Sequence, residues 1–324
     1  MSHTPNEGPD SRKDRRDLFG KALGKRIRFV TFHQSYSYED FIGGLRPEVG
    51  AETLRFKWAP GIFLRACAAA WRASESADWN NDVGDDDAES FLQACRSQQE
   101  ASEEERPFQS DREYPPVILV IDEINRANMS RVFGELITLL EDDKRLGGKE
   151  QLIVQLPNRP DCKFGVPKNL IIIGTMNTAD KSLALLDLAL RRRFEFHRLD
   201  PDPGKVENEA LREFMIALNK AIAKERKSLD YGVGHAYFMR GDIKPENLND
   251  VLTDILQRKI VPLLQEYFGG DDAKVIKVLR AANVDLETEN LGTDRDLLIK
   301  MPIEGVKCPL PQPTPPLTPQ SEHD

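Results

Sequence analysis

A chain of 324 residues, 31% of them charged and with a formal net charge of −9, can bury a sizeable core as one large domain or two ordinary ones. Its charge gives no overall attraction to nucleic acid phosphates. No apolar run approaches the roughly 20 residues a bilayer span needs, and the N-terminus is polar rather than signal-like, so no membrane segment is expected.

The cysteines Cys67, Cys95, Cys162 and Cys308 stand far apart without metal-ligand spacing, which suits reduced thiols in a cytoplasmic protein. Residues 1–26 read as a polar tail containing Pro5, Gly8 and Pro9, followed by a helical piece near Leu18 to Leu23. Ile27 to Phe32 has strand character. Between Leu54 and Trp71, Ile62, Phe63, Ala66, Ala69 and Ala70 recur at helical spacing, with Pro60-Gly61 placed to start the helix. Residues 78–113 break the composition with the runs Asp85-Asp86-Asp87 and Glu103-Glu104-Glu105, and read as a solvated acidic insertion. The glycine and alternating ligands of a calcium loop are absent there.

Val117 to Ile121 is a continuous apolar strand, and Val132, Phe133, Leu136, Leu139 and Leu140 mark one face of a helix. Gln151 to Leu156 alternates like a hairpin arm, Leu170 to Ile173 is a second buried strand, and Leu183 to Leu190 is an apolar helix. Buried runs alternating with helices predict an α/β core over 27–199, a parallel sheet covered on both faces. Beyond Pro201 and Pro203 the pattern is helical only, through Val206, Leu211, Phe214, Leu218 and Ile222 and then Leu252, Ile255, Leu256, Ile260, Leu263, Leu264 and Tyr267. That predicts a separate helical subdomain over 200–307, followed by an extended proline-rich tail over 308–324.

Three signals carry chemistry. The run Val117-Ile118-Leu119-Val120-Ile121-Asp122-Glu123 delivers two carboxylates at the carboxyl end of a buried strand, where open α/β sheets bind ligands. Phosphoryl transfer needs Mg²⁺ held against the phosphates and a water aligned for attack, so Asp122 would hold the metal and Glu123 the water. The same pair could simply end a strand at the surface. Ile171-Ile172-Ile173-Gly174-Thr175-Met176-Asn177 follows the next strand, and if that strand lies beside the first, Asn177 comes near Glu123. Arg191-Arg192-Arg193 close a short apolar helix, as phosphate-binding forks or as a solvated basic helix end.

Taken with their surroundings, these residues resemble the McrB branch of the dynein-related AAA group. The likeness rests on Phe32-His33-Gln34-Ser35-Tyr36-Ser37-Tyr38-Glu39-Asp40-Phe41-Ile42, Asp122-Glu123-Ile124-Asn125-Arg126-Ala127-Asn128, Gly174-Thr175-Met176-Asn177-Thr178-Ala179-Asp180-Lys181-Ser182 and Leu186-Asp187-Leu188-Ala189-Leu190-Arg191-Arg192-Arg193-Phe194. Gly234-His235-Ala236-Tyr237-Phe238 and the Ile260 to Phe268 helix are similar to the helical lid of that branch. The resemblance implies a P-loop NTPase of the AAA+ fold, with a Walker B pair at Asp122-Glu123 and a sensor at Asn177. It further implies Asp180 and Arg193 at the nucleotide, and Arg191 and Arg192 acting in trans from a neighbouring subunit. ATP or GTP would be the substrate with Mg²⁺, in a homo- or hetero-oligomeric ring, usually a hexamer, beside a McrC-like partner. Lys181 stands where an arginine is common in that branch.

A phosphate-binding loop reads G-x-x-x-x-G-K-[ST]. The nearest string, Gly20-Lys21-Ala22-Leu23-Gly24-Lys25-Arg26, has the wrong spacing and an arginine in place of the hydroxyl. By the resemblance the loop and its strand are expected upstream of Met1, leaving a gap in the sheet and a chain that is poorly stable or hydrolytically dead alone. The branch's DNA-binding region is likewise expected elsewhere, so no direct nucleic acid contact follows from this sequence. A non-hydrolysing subunit lending arginines to a complete neighbour is the alternative, and a helicase-type reading fits the lid poorly. His33 and His235 read as packing residues, Tyr36 and Tyr38 as braces or pore residues, and Trp58, Trp71 and Trp79 as buried area.

Overall fold

In the computed structural model, which describes residues 12–48, 54–76, 79–109, 112–179, 188–239, 247–286 and 299–300, the chain divides into two units, residues 1–196 and 197–324. The first runs α1 (Arg12–Ala22), β1 (Ile27–Thr31), α2 (Tyr38–Phe41), β2 (Gly43–Pro47), β3 (Phe56–Pro60), α3 (Ile62–Glu75) and α4 (Asp85–Glu100). It continues with β4 (Val117–Asp122), α5 (Met129–Phe133), β5 (Val154–Leu156), β6 (Arg159–Phe164), β7 (Leu170–Gly174) and α6 (Leu188–Arg191). The apolar runs expected to be strands pair in parallel in the order β1-β4-β7, with Ile118 facing Ile27 on one side and Ile171 on the other.

Side chains alternate across such a sheet. Val117, Leu119, Ile121 and Leu170 are buried on one face beneath α3. The small side chains Ala66, Ala68, Ala69 and Ala70 let α3 lie close, and it is buried nearly all round because α4 covers its far side. Phe29, Ile171 and Ile173, on the opposite face, are 47%, 46% and 46% exposed. Among the described residues the α3 side of the sheet is the covered one, and the opposite side keeps these apolar side chains exposed. The sheet itself has no internal gap. Residues 194–200 take no strand conformation, so β7 is an open edge rather than one lip of a break. Without a strand on that edge there is no ladder for those residues to continue.

The acidic insertion expected at 78–113 is also corrected, because it contains α4. Asp85, Asp86 and Asp87 occupy the first turn, where carboxylates suit the positive end of the helix dipole, and Asp87 accepts from the Gly84 N–H at 3.0 Å. Behind them Ala88, Phe91, Leu92 and Cys95 form a buried stripe at helical spacing. Gln98 then exchanges two hydrogen bonds with the Phe108 backbone, at 2.9 and 2.8 Å, and ties the following loop to the helix. The stretch 129–140 is not one helix: Gly134, with φ +54°, ends α5, and residues 134–140 form a 3₁₀ turn. The β2–β3 hairpin had no sequence signal beyond its Gly43-Gly44 start. Gln151–Leu156 does supply one arm of a hairpin, β5 paired with β6. Phe41, Phe63 and Phe133 lie within 4.7–5.7 Å of one another at the centre of the core.

The second unit holds α7 (Glu209–Arg226), α8 (Leu248–Ile255), α9 (Val261–Tyr267) and α10 (Asp272–Ala281), which packs on α7. It ends in a two-residue antiparallel pair, β8 (Asp285–Leu286) and β9 (Ile299–Lys300), so it is not purely helical. Leu256–Ile260 between α8 and α9 is π-helical, next to Pro262, whose missing N–H interrupts the regular ladder. No described helix is long and apolar enough to cross a membrane. Asp180, Lys181 and the proline-rich tail 308–324 lie outside the described residues.

Candidate functional site

β4 and β7 end side by side, and their register sets the site. Ile121 faces Gly174, which places Asp122 beside Thr175 one step further. The Thr175 N–H donates to Ile121 O and the Ile124 N–H to Thr175 O, both at 2.9 Å, so the two chains stay locked past the last ladder pair. A Cβ on Gly174 would sit 2.7 Å from Ile124 Cδ1, so glycine here admits the buried Ile124.

Thr175 bridges the two acids. Its hydroxyl donates to Asp122 Oδ1 at 2.5 Å and accepts from the Glu123 N–H at 3.3 Å. Asp122 is held from the other side by its backbone, whose carbonyl accepts from the Phe32 N–H at 2.9 Å. Glu123 adopts φ 54° and ψ 46°, a left-handed conformation that costs a residue with a Cβ about 1–2 kcal/mol. Its Oε2 lies 3.1 Å from Arg126 Nε, an ion pair without hydrogen-bond alignment. Asp122 and Thr175 present hard oxygen donors at one strand end, the donor type Mg²⁺ takes while keeping several waters.

The structure brings the expected residues together unevenly. β7 does lie beside β4, but Thr175, not Asn177, makes the contact with the acids. Asn177 is exposed, and its Oδ1 accepts from the Ala179 N–H at 3.0 Å. Asp180 falls outside the described residues. The three arginines separate: Arg191 and Arg192 are exposed, whereas Arg193 is only 15% exposed and bonds Glu141 at 2.6 Å. In the sequence Thr175 is one residue of the longer Gly174 to Ser182 motif, with nothing local to mark it. Pairing the two strands in parallel register would have singled it out.

The neighbouring aromatic residues brace the site's approach. Tyr36 stacks on Phe32 at 4.6 Å, and burial pushes its hydroxyl up to about 12. The Tyr38 hydroxyl donates to Glu135 at 2.9 Å and is pushed up by burial and by that carboxylate. In the second unit, His235 Nδ1 accepts from the Asp202 N–H at 3.1 Å, a backbone-satisfying role.

Residues 17–194 match the AAA domain family, dynein-related subfamily, and residues 210–296 match the alpha-helical lid domain of McrB. The type IV methyl-directed restriction enzyme EcoKMcrB subunit of Escherichia coli (strain K12) is 37% identical over 276 residues, 79% of this chain and 50% of that protein. The type II restriction enzyme BsuMI component YdiS of Bacillus subtilis (strain 168) is 35% identical over 96 residues, 27% of this chain and 28% of that protein. The chain thus spans half the length of the first relative and less of the second.

Proposed function

The chain belongs to the dynein-related subfamily of AAA domains and carries a McrB-type lid, and on that premise we propose that it is the nucleotide-hydrolysing module of a restriction-type complex. The observation that carries this reading is the Thr175 bridge, which fixes Asp122 and Glu123 against each other at the carboxyl end of a parallel strand. Asp122, oriented by Thr175, would hold Mg²⁺, which when bound would supply positive charge to the phosphate oxygens of ATP or GTP. Glu123 orients the attacking water, and Asn177, together with Asp180 by the family resemblance, serves the terminal phosphate. A phosphate-binding loop meets these groups along the open β7 edge, from outside these 324 residues. Alone, the chain turns over little or no nucleotide.

Arg191 and Arg192, exposed at the end of α6 and in the turn after it, serve a neighbouring subunit of a ring, while Arg193 holds that segment to the core through Glu141. A McrC-like protein is the partner expected of such a ring. The exposure of Arg191 and Arg192 also supports a second reading, in which the chain lends its arginines to a complete neighbour without hydrolysing nucleotide itself.

The test mixes the purified chain with a McrB-like protein that carries its own phosphate loop and measures nucleotide turnover. Under the first reading Glu123→Gln in this chain lowers turnover about 100-fold or more, with nucleotide still bound. Under the second, Arg191→Ala with Arg192→Ala lowers it and Glu123→Gln does not. Turnover indifferent to all three, or robust turnover by the chain alone, overturns the proposal.

A further inference from the structure

Arg191, Arg192 and Arg193 are chemically alike, yet the structure gives them different surroundings. The Arg193 N–H donates to Leu190 O at 2.9 Å, closing a turn at the end of α6. Leu190 is fully buried, and the Arg193 guanidinium, 15% exposed, bonds Glu141 at 2.6 Å. Both ends of the turn 190–193 are anchored, which leaves Arg191 and Arg192 at its exposed tip.

Glu141 is itself a fixed post. Its N–H donates to Thr138 O at 3.3 Å, and its carbonyl accepts from the Lys144 N–H at 3.0 Å. The peptide bond before it is held by Arg145, a buried residue that donates from Nε and Nη2 to Leu140 O, both at 3.2 Å. Nη1 of the same guanidinium donates to Leu170 O at the start of β7. Burying such a charge is unfavourable unless its donors are met, and the Asp142 carboxylate, 3.7 Å away, is fully exposed. The carbonyls meet those donors instead. A continuous line of polar contacts thus runs from β7 through Arg145 and the Leu140 carbonyl to Glu141, and from Glu141 to Arg193.

We propose that Glu141 is a positioning residue for Arg191 and Arg192. By drawing Arg193 out of the run, it fixes the turn 190–193 against the sheet and keeps the other two guanidinium groups turned outward. There they meet the phosphates of a nucleotide held by a neighbouring subunit, in the bidentate geometry that arginine offers. Arg193 is the anchor of the run and not one of its phosphate ligands. This inference rests on the trans role proposed above for Arg191 and Arg192.

Two measurements test it, and the first needs no neighbour. Amide hydrogen exchange of this chain is followed in the peptide covering 188–196. Glu141→Ala speeds exchange there about tenfold while α3 keeps its wild-type protection; unchanged exchange at 188–196 overturns the anchor. The second measurement uses the mixed, hydrolysing assembly. Glu141→Ala lowers kcat about tenfold at unchanged KM, because Arg191 and Arg192 are misplaced in the transition state. Swapping the charges, Glu141→Arg with Arg193→Glu, rebuilds the pair and recovers most of kcat. A Glu141→Ala assembly as fast as wild type, where Arg191→Ala with Arg192→Ala is slow, overturns the proposal. So does a swap that restores protection at 188–196 but no kcat, since Arg193 would then be needed for its own charge. An assembly indifferent to the loss of Arg191 and Arg192 removes their trans role, and the exchange measurement still decides whether Glu141 anchors the run.

Discussion

Glu123 carries a backbone conformation that its side chain does not favour, with φ 54°. Glycine has no such penalty, so Glu123→Gly is expected to be about 1 kcal/mol more stable than Glu123→Ala, read from paired denaturant melts. Equal stability of the two would place the residue outside the left-handed region. Asp40 sets a second residue-scale expectation. Burial opposes its ionisation, but hydrogen bonds from Arg46 and Ser37, together with the Arg46 charge, outweigh it and hold the carboxyl below its ordinary 3.8. A depressed folded-state pKa contributes stability above the unfolded value and loses it as pH falls through the folded one. Wild type should therefore exceed Asp40→Asn in stability at neutral pH, with the difference shrinking below about pH 4; a constant difference would contradict the assignment. Asp122 and Glu123 stood out in the sequence because a buried strand must end somewhere, and what it ends in is visible; the arginine run stood out as three adjacent charges closing an apolar stretch. The separation of the arginines did not: Arg193 is set apart by its burial and by its contact with Glu141, 52 positions away, which no local pattern displays.

At the scale of elements, α4 shows how charge can mask periodicity. Its acidic first turn and glutamate-rich exit dominate the composition, while the apolar stripe behind them supplies the packing. Phe91 is fully buried and meets Phe164 edge-on at 6.1 Å. Phe91→Ala should cost about 3–5 kcal/mol in chemical denaturation, where a solvated insertion would lose almost nothing. Gly61 works by absence of a side chain: a Cβ there would sit 2.3 Å from the Phe41 carbonyl oxygen and 2.6 Å from that of Asp40. It is also the residue that starts α3. The Pro60-Gly61 pair was readable as a helix start, but the closeness of α2 was not, since that contact is set by the hairpin between them. Gly61→Ala should lower the melting temperature by several degrees, and a neutral result would mean that α2 can retreat at no cost.

For the whole molecule, a parallel sheet followed from the sequence pattern, while the strand order β1-β4-β7 and the exposed side chains on one face did not, because the pattern marks apolar strands without saying what pairs with them or covers them. Phe29, Ile171 and Ile173 leave apolar surface on the first unit, and surfaces of this kind drive association. Ile171→Lys combined with Ile173→Lys should reduce concentration-dependent association in sedimentation while the circular dichroism spectrum is kept; unchanged sedimentation would show that the face is inert. The register has a further consequence, in time rather than space. Ile27 pairs with Ile118, about ninety residues later, and Ile118 with Ile171 beyond that. On a ribosome adding roughly 5–20 residues per second, β1 waits roughly five to twenty seconds for its partner strand and longer for the sheet to finish. The helical second unit, made of contacts near in sequence, forms as it emerges. The unit that carries Asp122 and Glu123 is thus made before the helical one and completed slowly, and over that interval its unpaired apolar strands are open to association.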